Sequence, residues 1–205
     1  MKRIAKWAAT DIFILLVIPA WILYLLESTI LGKKKSFPGY SQFFSLIPGL
    51  FGNFLREAFY KLTLLHLGHD TCICFGVILS NPGAWIGSGV YIGPHCNLGL
   101  CTIEDDVLLG SGVHIMSGMS QHGFADMSIP IREQKGELLN VRIGRDTWIG
   151  NNTVIGNHVG EKCVIGAAAL VIRDVPPFSI AVGNPAKVIR DRRNPATSEN
   201  SSTKY

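Results

Sequence analysis

The feature that constrains this chain most is an apolar residue that recurs every six positions. Within residues 143–170 the pattern reads I-G-R-D-T-W, I-G-N-N-T-V, then V-G-E-K-C-V and I-G-A-A-A-L. Neither the 3.6-residue period of a helix nor the two-residue period of a strand accounts for this spacing. A short strand followed by a tight corner does, when it is repeated as a solenoid whose units bury their apolar faces on one another.

The apolar residues fall into phase in groups of three, so the sequence predicts an all-β solenoid of four coils. The in-phase residues are Ile86, Ile92, Leu98, Ile103, Leu109, Ile115, Ile143, Ile149, Ile155, Val159, Ile165 and Val171. The residues four places on are small or medium-sized, as the interior of a narrow prism requires. These are Val90, Cys96, Thr102, Val107, Val113, Thr147, Thr153, Cys163, Ala169 and Val175.

Composition excludes several classes of protein. The chain is 47% apolar and only 17% charged, which is unusually apolar for a soluble protein of this size. The net charge is +4 and no basic run interleaves with aromatic residues, which argues against a nucleic-acid partner. Five cysteines without a C-x-x-C pair argue against a disulfide framework and against a zinc site, and they indicate a reducing compartment.

Residues 1–36 contain an apolar run that begins at Ile12 and has basic residues on both sides. Its length is just sufficient to cross a membrane. A cleaved signal peptide would have a shorter core and a small-residue cleavage site, and a solenoid has no interior space for a core helix. We therefore expect a membrane segment, either spanning or re-entrant, since Pro19 could kink it. The flanking charges do not determine its orientation.

Three further regions follow. Residues 37–70 predict an amphipathic helical region that could lie in the membrane interface or cap the first coil. The solenoid is expected over residues 71–190. Residues 116–140 interrupt the repeat, and we expect this loop to carry functional residues because loops on rigid scaffolds commonly do. Residues 191–205 predict a disordered polar tail.

The repeat, the W-I-G-N-N-T-V-I run at 148–155 and the V-G-N-P-A-K-V-I-R run at 182–190 resemble the hexapeptide-repeat acyltransferases. The resemblance covers roughly residues 71–190. It implies a left-handed parallel β-helix, a hand that the usual crossover rule would not have predicted. It also implies a homotrimer, an acyl-CoA donor that is most simply acetyl-CoA, and no requirement for a metal.

Acyl transfer from a thioester requires a base for the acceptor's proton and donors for the developing oxyanion. An imidazole is the natural base. His122 lies in the interrupting loop, and it resembles the essential histidine of the family's sugar acetyltransferases, so we expect it to be the general base. Asn97 and Gln121 are expected to contact the acceptor. Asp126 is the nearest carboxylate in sequence, but nothing else supports it as the partner of His122.

The donor site follows from the resemblance, which places coenzyme A in a groove between two prisms of the trimer. The expected residues are Trp148, Gly150, Gly166, Ala167 and Ala168, with Arg173, Lys187 and Arg190 as cations for the phosphates. At 168 many relatives carry glycine where this chain has alanine, whose methyl group could narrow the groove. Asn97 stands near a position where related enzymes use a carboxylate, so the identity of the acceptor cannot be carried over.

The expected function is an acetyl-CoA-dependent O-acyltransferase that acts on a sugar or glycan intermediate at the cytoplasmic face of a membrane. Alternatives are an acetyltransferase for soluble substrates and a non-catalytic trimeric scaffold. Hexapeptide-repeat carbonic anhydrases form a further class, but they need two zinc-ligand histidines five residues apart. The histidines of this solenoid do not have that spacing.

Overall fold

A computed structural model describes residues 2–194, with side chains from residue 12 onward. Three helices come first: α1 (Lys2–Leu31), α2 (Lys33–Ser45) and α3 (Gly49–Thr63). A solenoid of short strands follows, and it begins at His66, somewhat earlier than the expected boundary at 71. The expected disordered tail lies outside the described residues from 195 onward.

The strands are two to five residues long and are numbered in chain order. They are β1 (His66–Leu67), β2 (Cys72–Ile73), β3 (Ile78–Leu79), β4 (Trp85–Ile86), β5 (Tyr91–Ile92), β6 (Asn97–Leu98), β7 (Cys101–Ile103), β8 (Leu108–Leu109), β9 (His114–Ile115), β10 (Val141–Ile143), β11 (Trp148–Ile149), β12 (Val154–Ile155), β13 (Val164–Ile165), β14 (Leu170–Val171), β15 (Ser179–Val182) and β16 (Lys187–Asp191). A short 3₁₀ helix, Ile131–Glu133, lies in the interrupting loop.

The strands form three parallel sheets, one on each face of a prism. Sheet A has the order β1-β4-β7-β10, sheet B has β2-β5-β8-β11-β13-β15, and sheet C has β3-β6-β9-β12-β14. Val159 and Val175 extend sheet A by single bridges, and β16 pairs antiparallel with β15 at the end. The chain is therefore a parallel β-helix of about six turns, of the left-handed kind that the repeat implies.

The expectation of four coils was wrong. An additional coil precedes Ile86, and a partial one follows Val171. In the first coil the inward residues Ile73 and Leu79 are followed by cysteine and serine, where later units carry glycine. The last coil ends in an antiparallel turn instead of a third parallel strand. Both coils therefore lack part of the six-residue pattern that identifies the other coils in the sequence.

The interior is filled as the period predicts, because every in-phase residue is buried. Thr102 is the exception among the residues four places on: it faces outward, and its hydroxyl donates to Asn140 Oδ1 at 3.1 Å. Strand β7 has three residues, so side chains alternate across it, and Cys101 and Ile103 take the two inward positions. All five cysteines are free thiols.

A left-handed backbone conformation produces the corners that lead into sheets B and C. The residue three places before the inward residue has a positive φ in each of these corners. These residues are Asp70, Gly76, Gly89, His95, Asp106, Gly112, Asp146, Asn152, Lys162, Ala168 and Phe178. Glycine, aspartate and asparagine tolerate this conformation, whereas other residues adopt it at a cost of about 1–2 kcal/mol. Strand plus corner together give the period of six.

Helices α2 and α3 cover the open end of the first coil, and a buried arginine joins them to it. Arg56 is fully buried. Its Nε donates to the Ile73 carbonyl at 2.9 Å, and its Nη1 donates to the Phe44 and Ile47 carbonyls at 2.9 and 2.7 Å. Its Nη2 donates to Asn53 Oδ1 at 2.7 Å. One side chain thus holds the end of α2, the start of α3 and strand β2 together.

Helix α1 packs on α2 and α3 along one face, and it continues through Pro19 as a single helix. Val17 and Tyr24 are buried there, and the Phe13 ring stacks on Phe54. The opposite face is apolar and exposed. It consists of Ile12, Leu15, Leu16, Ile22, Leu23, Leu26, Ile30 and Leu31. The segment Ile12–Leu31 is long and apolar enough to cross a membrane, by length and composition alone.

We expect Arg56→Leu to lower the melting temperature by about 6–12 °C, because three buried carbonyls lose their donor. Thermal denaturation followed by circular dichroism in detergent measures the change. Arg132→Leu is the matched control, since that arginine side chain is 84% exposed. Similar small shifts in both variants would show that Arg56 does not hold the helices to the solenoid.

Candidate functional site

The interrupting loop leaves the solenoid after β9, and its two arms are held together at the base. The Leu139 amide donates to the Ser117 carbonyl at 2.9 Å, and the Glu137 amide donates to the Ser120 carbonyl at 2.7 Å. A Cβ on Gly136 would lie 2.1 Å from the Gln121 carbonyl oxygen, so only glycine allows the arms to come this close. The backbone at Gln121 is therefore fixed relative to sheet C.

A pocket of about 270 Å³ lies between this loop and the outer surface of sheet C, and we call it the loop pocket. Its lining residues are Ser80, Asn97, Gly99, His114, Ile115, Met116, Ser117 and Gln121. Asn97 and His114 are paired neighbours on strands β6 and β9. The structure thus brings together Asn97 and Gln121, the two residues expected to contact the acceptor.

His114 also lines the loop pocket, although it was not among the residues expected at the site. A signal for it was present, because His114 precedes the inward Ile115 just as Asn97 precedes the inward Leu98. Residues one place before an inward position point outward on the same sheet. The side chains of Asn97 and His114 therefore lie one above the other at the pocket.

His122 directly follows Gln121 and is exposed. The described residues give its ring no hydrogen-bond partner. Asp126 is not that partner here, because its Oδ1 accepts hydrogen bonds from the Ser128 amide at 2.8 Å and the Ser128 hydroxyl at 2.6 Å. These bonds lower the pKa of Asp126. An orienting group for His122 has to come from elsewhere.

Most of the expected donor residues lie around another edge of the prism, whereas Arg173 lies in the corner between sheets C and A. Trp148 points outward from sheet B and is 55% exposed. Gly150 and Ala167 lie in the corners between sheets B and C, which we call the B–C edge. Arg173 follows strand β14, and the last two cations lie on β16. All three cations are exposed: Arg173, Lys187 and Arg190.

Most amides at the B–C edge are already used between coils. The Gly150 amide donates to the Ile165 carbonyl at 2.8 Å, and the Gly166 amide donates to Ala181 at 2.9 Å. The Ala168 amide donates to the Asn151 carbonyl at 2.8 Å. These three amides are therefore not available to a ligand. Ala168 has a positive φ of 57° and exposes its methyl group at this edge.

Two neighbouring amides at the B–C edge are free. Asn151 Oδ1 accepts from the Ser111 amide at 2.9 Å. One coil further on, Ala167 occupies the same place but has no side-chain acceptor. Within the described residues the N–H groups of Asn151 and Ala167 therefore have no hydrogen-bond partner. They lie in adjacent coils, about 4.8 Å apart.

Such a pair of unpaired N–H groups can bind carbonyl oxygens of a ligand or a developing oxyanion. The sequence indicated Ala167 but missed Asn151. The available signal was the change from asparagine at 151 to alanine at the matching place in the next coil. Because residue 167 has no capping carboxamide, the Asn151 amide in the preceding coil stays unpaired.

Trp148 and the loop pocket lie on different faces of one prism. Trp148 faces outward from sheet B, whereas the loop pocket opens on sheet C and the loop leaves towards sheet A. The largest pocket described, about 620 Å³, lies near sheet A around His158 and Glu161 and contains none of the expected site residues. No cluster of three potential metal ligands occurs among the described residues.

Comparison with known proteins adds two curated relatives. The chain is 40% identical over 93 residues to a protein of Mycobacterium tuberculosis named a probable acetyltransferase, a match that spans 44% of this chain and 30% of the relative. It is 32% identical over 115 residues to galactoside O-acetyltransferase of Escherichia coli, spanning 51% of this chain and 55% of the relative. The chain thus covers 30% of the length of the first relative and 55% of the second. No family model matches it.

Among solved structures, a galactoside acetyltransferase in complex with coenzyme A superposes with a TM-score of 0.61 at 22% identity. The match covers 79% of this chain and 82% of that one. At this identity the likeness shows the fold alone. The repeat, the fold and the curated relatives together fit the hexapeptide-repeat acyltransferase family.

Ala167→Asn tests the role of the free amides. The new carboxamide would stand one coil above Asn151, in the same relation in which Asn151 stands to Ser111. Its oxygen should therefore accept a hydrogen bond from the Asn151 amide and occupy it. We expect the KM for acetyl-CoA to rise about tenfold while the melting temperature stays equal or increases. Ala167→Gly keeps both amides free and serves as the control. An unchanged KM in a well-folded Ala167→Asn protein would exclude the amide pair from donor binding.

Proposed function

We propose that the protein is an acyl-CoA-dependent O-acyltransferase that moves an acetyl group from acetyl-CoA to a hydroxyl of a sugar or glycan. The observation that carries the proposal is the combination of the loop pocket and the free amide pair on a solenoid of this family type. The pocket supplies groups that suit a polyhydroxyl acceptor, and the amides suit a thioester donor. The acetyltransferase names of the relatives support the same reaction.

The proposed reaction has one base and one oxyanion site. His122 removes the proton from the acceptor hydroxyl while the hydroxyl oxygen attacks the thioester carbonyl carbon. The carbonyl oxygen becomes negative in the tetrahedral intermediate, and one of the free amides, of Asn151 or Ala167, donates a hydrogen bond to it. When the C–S bond breaks, the coenzyme A sulfur leaves and takes the proton from the imidazolium.

The groups of the loop pocket would orient the acceptor. Asn97 offers an amide with both donor and acceptor atoms, and the Gln121 carboxamide already donates to the Gly118 carbonyl at 3.1 Å, which fixes its position. The pocket residues include no carboxylate. A neutral, hydroxyl-rich acceptor therefore fits the pocket better than a cationic amine, which favours O-acylation.

The donor would lie along the B–C edge. The carbonyl oxygen of a pantetheine amide would accept a hydrogen bond from whichever free N–H the oxyanion does not use. Trp148 offers an exposed ring for contact with the pantetheine arm. Arg173, Lys187 and Arg190 supply positive charge for the phosphates at the end of the solenoid. The exposed methyl group of Ala168 lies at this edge and would limit how closely the arm approaches.

A complete site requires two copies of the chain in this proposal. The loop pocket and Trp148 lie on different faces of one prism, so a loop from one copy would meet the B–C edge of its neighbour. A closed ring of three copies repeats this heterologous contact three times. The homotrimer is thus part of the proposal and follows from where the two half-sites lie.

The apolar helices would hold the enzyme at a membrane. The exposed face of α1 adjoins Lys33, Lys34 and Lys35, which suit anionic lipid headgroups. Since acyl-CoA is a cytoplasmic donor, the solenoid would face the cytoplasm. A glycan intermediate carried on a lipid would meet the enzyme there. An acceptor of this kind gives a reason for the anchor that a freely soluble acceptor does not.

His122→Ala is expected to lower kcat by roughly 10² to 10⁴ while acetyl-CoA binding survives. Release of free thiol with a panel of sugar acceptors measures turnover, and calorimetry measures donor binding. Arg173→Ala should show the opposite pattern, a raised donor KM with kcat nearly unchanged. His69→Ala, an exposed histidine far from the loop, is the control. Near-normal turnover of His122→Ala would exclude this base, and silence of the native protein with every donor would favour a scaffold.

Complementation tests whether two chains share the site. His122→Ala and Trp148→Ala should each be strongly impaired. When they are coexpressed in equal amounts and assemble at random, about a quarter of all sites would combine a native loop with a native tryptophan. Recovery of activity towards that fraction is expected. No recovery, with mixed trimers confirmed by mass spectrometry, would place both residues in a single-chain site.

A further inference from the structure

A second pocket, of about 390 Å³, lies between helices α1 and α2, far from the B–C edge. We call it the helix pocket. Its apolar wall consists of Ala20, Leu23, Gly39 and Phe43, and its polar end consists of Glu27, Ser36 and Tyr40. The volume falls in the range of sites that hold small ligands.

The polar end of the helix pocket has unused hydrogen-bonding capacity. Ser36 is 2% exposed, and its hydroxyl has no hydrogen-bond partner. A buried hydroxyl without a partner is costly, and it is unusual in a folded protein. Glu27 is half-buried, and its carboxylate accepts from the Tyr40 hydroxyl. Burial, together with this carboxylate, raises the pKa of Tyr40. Glu27 retains further acceptor capacity, because a carboxylate can accept several hydrogen bonds.

The mouth of the helix pocket opens on the exposed apolar surface of the helices. Leu23 and Phe43 line it, yet they are 59% and 60% exposed. Leu26 and Ile30 continue the same surface along α1. A ligand would therefore reach the pocket from an apolar phase, and its polar end would have to satisfy Ser36 and Glu27. This combination matches an amphiphile and does not match a water-soluble metabolite.

We propose that the helix pocket binds one alkyl chain of a membrane amphiphile whose polar end carries a hydroxyl or ammonium hydrogen-bond donor. The chain would lie along Leu23 and Phe43, and the donor would reach the Glu27 carboxylate and the Ser36 hydroxyl. An anionic carboxylate end is disfavoured, because it would lie beside Glu27. This site is separate from the acyl-transfer site, and its existence does not depend on the proposed reaction.

Gly39 provides a clean way to close the helix pocket. An added Cβ there would meet no atom within 4 Å, and the residue lies inside α2 with ordinary helical φ. Gly39→Leu should therefore fill the pocket without a clash, and leucine also favours the helix over glycine. The fold should be retained, which the melting temperature verifies.

Photocrosslinking of the full chain in phosphatidylcholine nanodiscs tests the site. Twelve-carbon probes carry a diazirine on the chain and end in an amine, a hydroxyl or a carboxylate, and labelled peptides are mapped by mass spectrometry. We expect the amine and hydroxyl probes to label residues 20–27 and 39–43 at least about fivefold more than the carboxylate probe, the discrimination of about 1 kcal/mol that one hydrogen bond provides.

Gly39→Leu should remove this labelling while labelling around Leu15, on the outer face of α1, remains. Glu27→Gln should reduce the preference for the amine over the carboxylate. Retention of the pocket label in Gly39→Leu would show that the probes contact only the outer surface, and this result would overturn the proposal. Equal labelling by all three probes, or no label at residues 20–27, would overturn it as well.

Discussion

The hydrogen bonds between successive coils are the constraint on which the rest of the structure depends. Each parallel strand pairs with a strand 16 to 19 residues away, or 40 residues away across the loop, so most backbone amides of the solenoid are used by the coil next to them. The corners that lead into sheets B and C close because one residue in each adopts a left-handed conformation. Because most amides of this scaffold have a partner, an unpaired amide indicates a place where a ligand can bind. The free N–H groups of Asn151 and Ala167 arise where a capping side chain is missing, and these are the groups that the proposed donor site uses.

The two ends and the one interruption of the solenoid carry the remaining features. At the first coil, Arg56 joins the helices to β2, so the apolar surface of α1 is fixed relative to the prism and is not a separate appendage. At the interruption, the paired arms of the loop place Gln121 over sheet C. The helices, the loop pocket and the B–C edge are therefore parts of one rigid scaffold. A membrane surface held by α1 would stand at a constant distance from the pocket at Asn97 and His114.

The sequence predicted the fold well, because the period of six is dictated by short-range geometry that recurs in every unit. It predicted the inward residues for the same reason. It undercounted the coils, since Ile73 and Leu79 lack the following glycine, and it misplaced Thr102, since a three-residue strand reverses the expected side. The site was harder to predict. Asn97 and Gln121, the two residues expected to contact the acceptor, line one pocket, but the positions of His114 and Asn151 depend on which residues align across coils. The alignment between coils depends on residues 16 to 40 positions apart, so the sequence of one six-residue unit does not determine it.

Single-residue hydrogen–deuterium exchange at the B–C edge, with and without coenzyme A, tests the central claim most directly. Without ligand, the amides of Asn151 and Ala167 should exchange rapidly, because they have no partner, while the Gly150 and Gly166 amides should be protected by their bonds between coils. Coenzyme A should slow exchange at Asn151 and Ala167 and leave the other two unchanged. Slow exchange at Asn151 and Ala167 in the free protein, or no protection by saturating coenzyme A, would contradict the account.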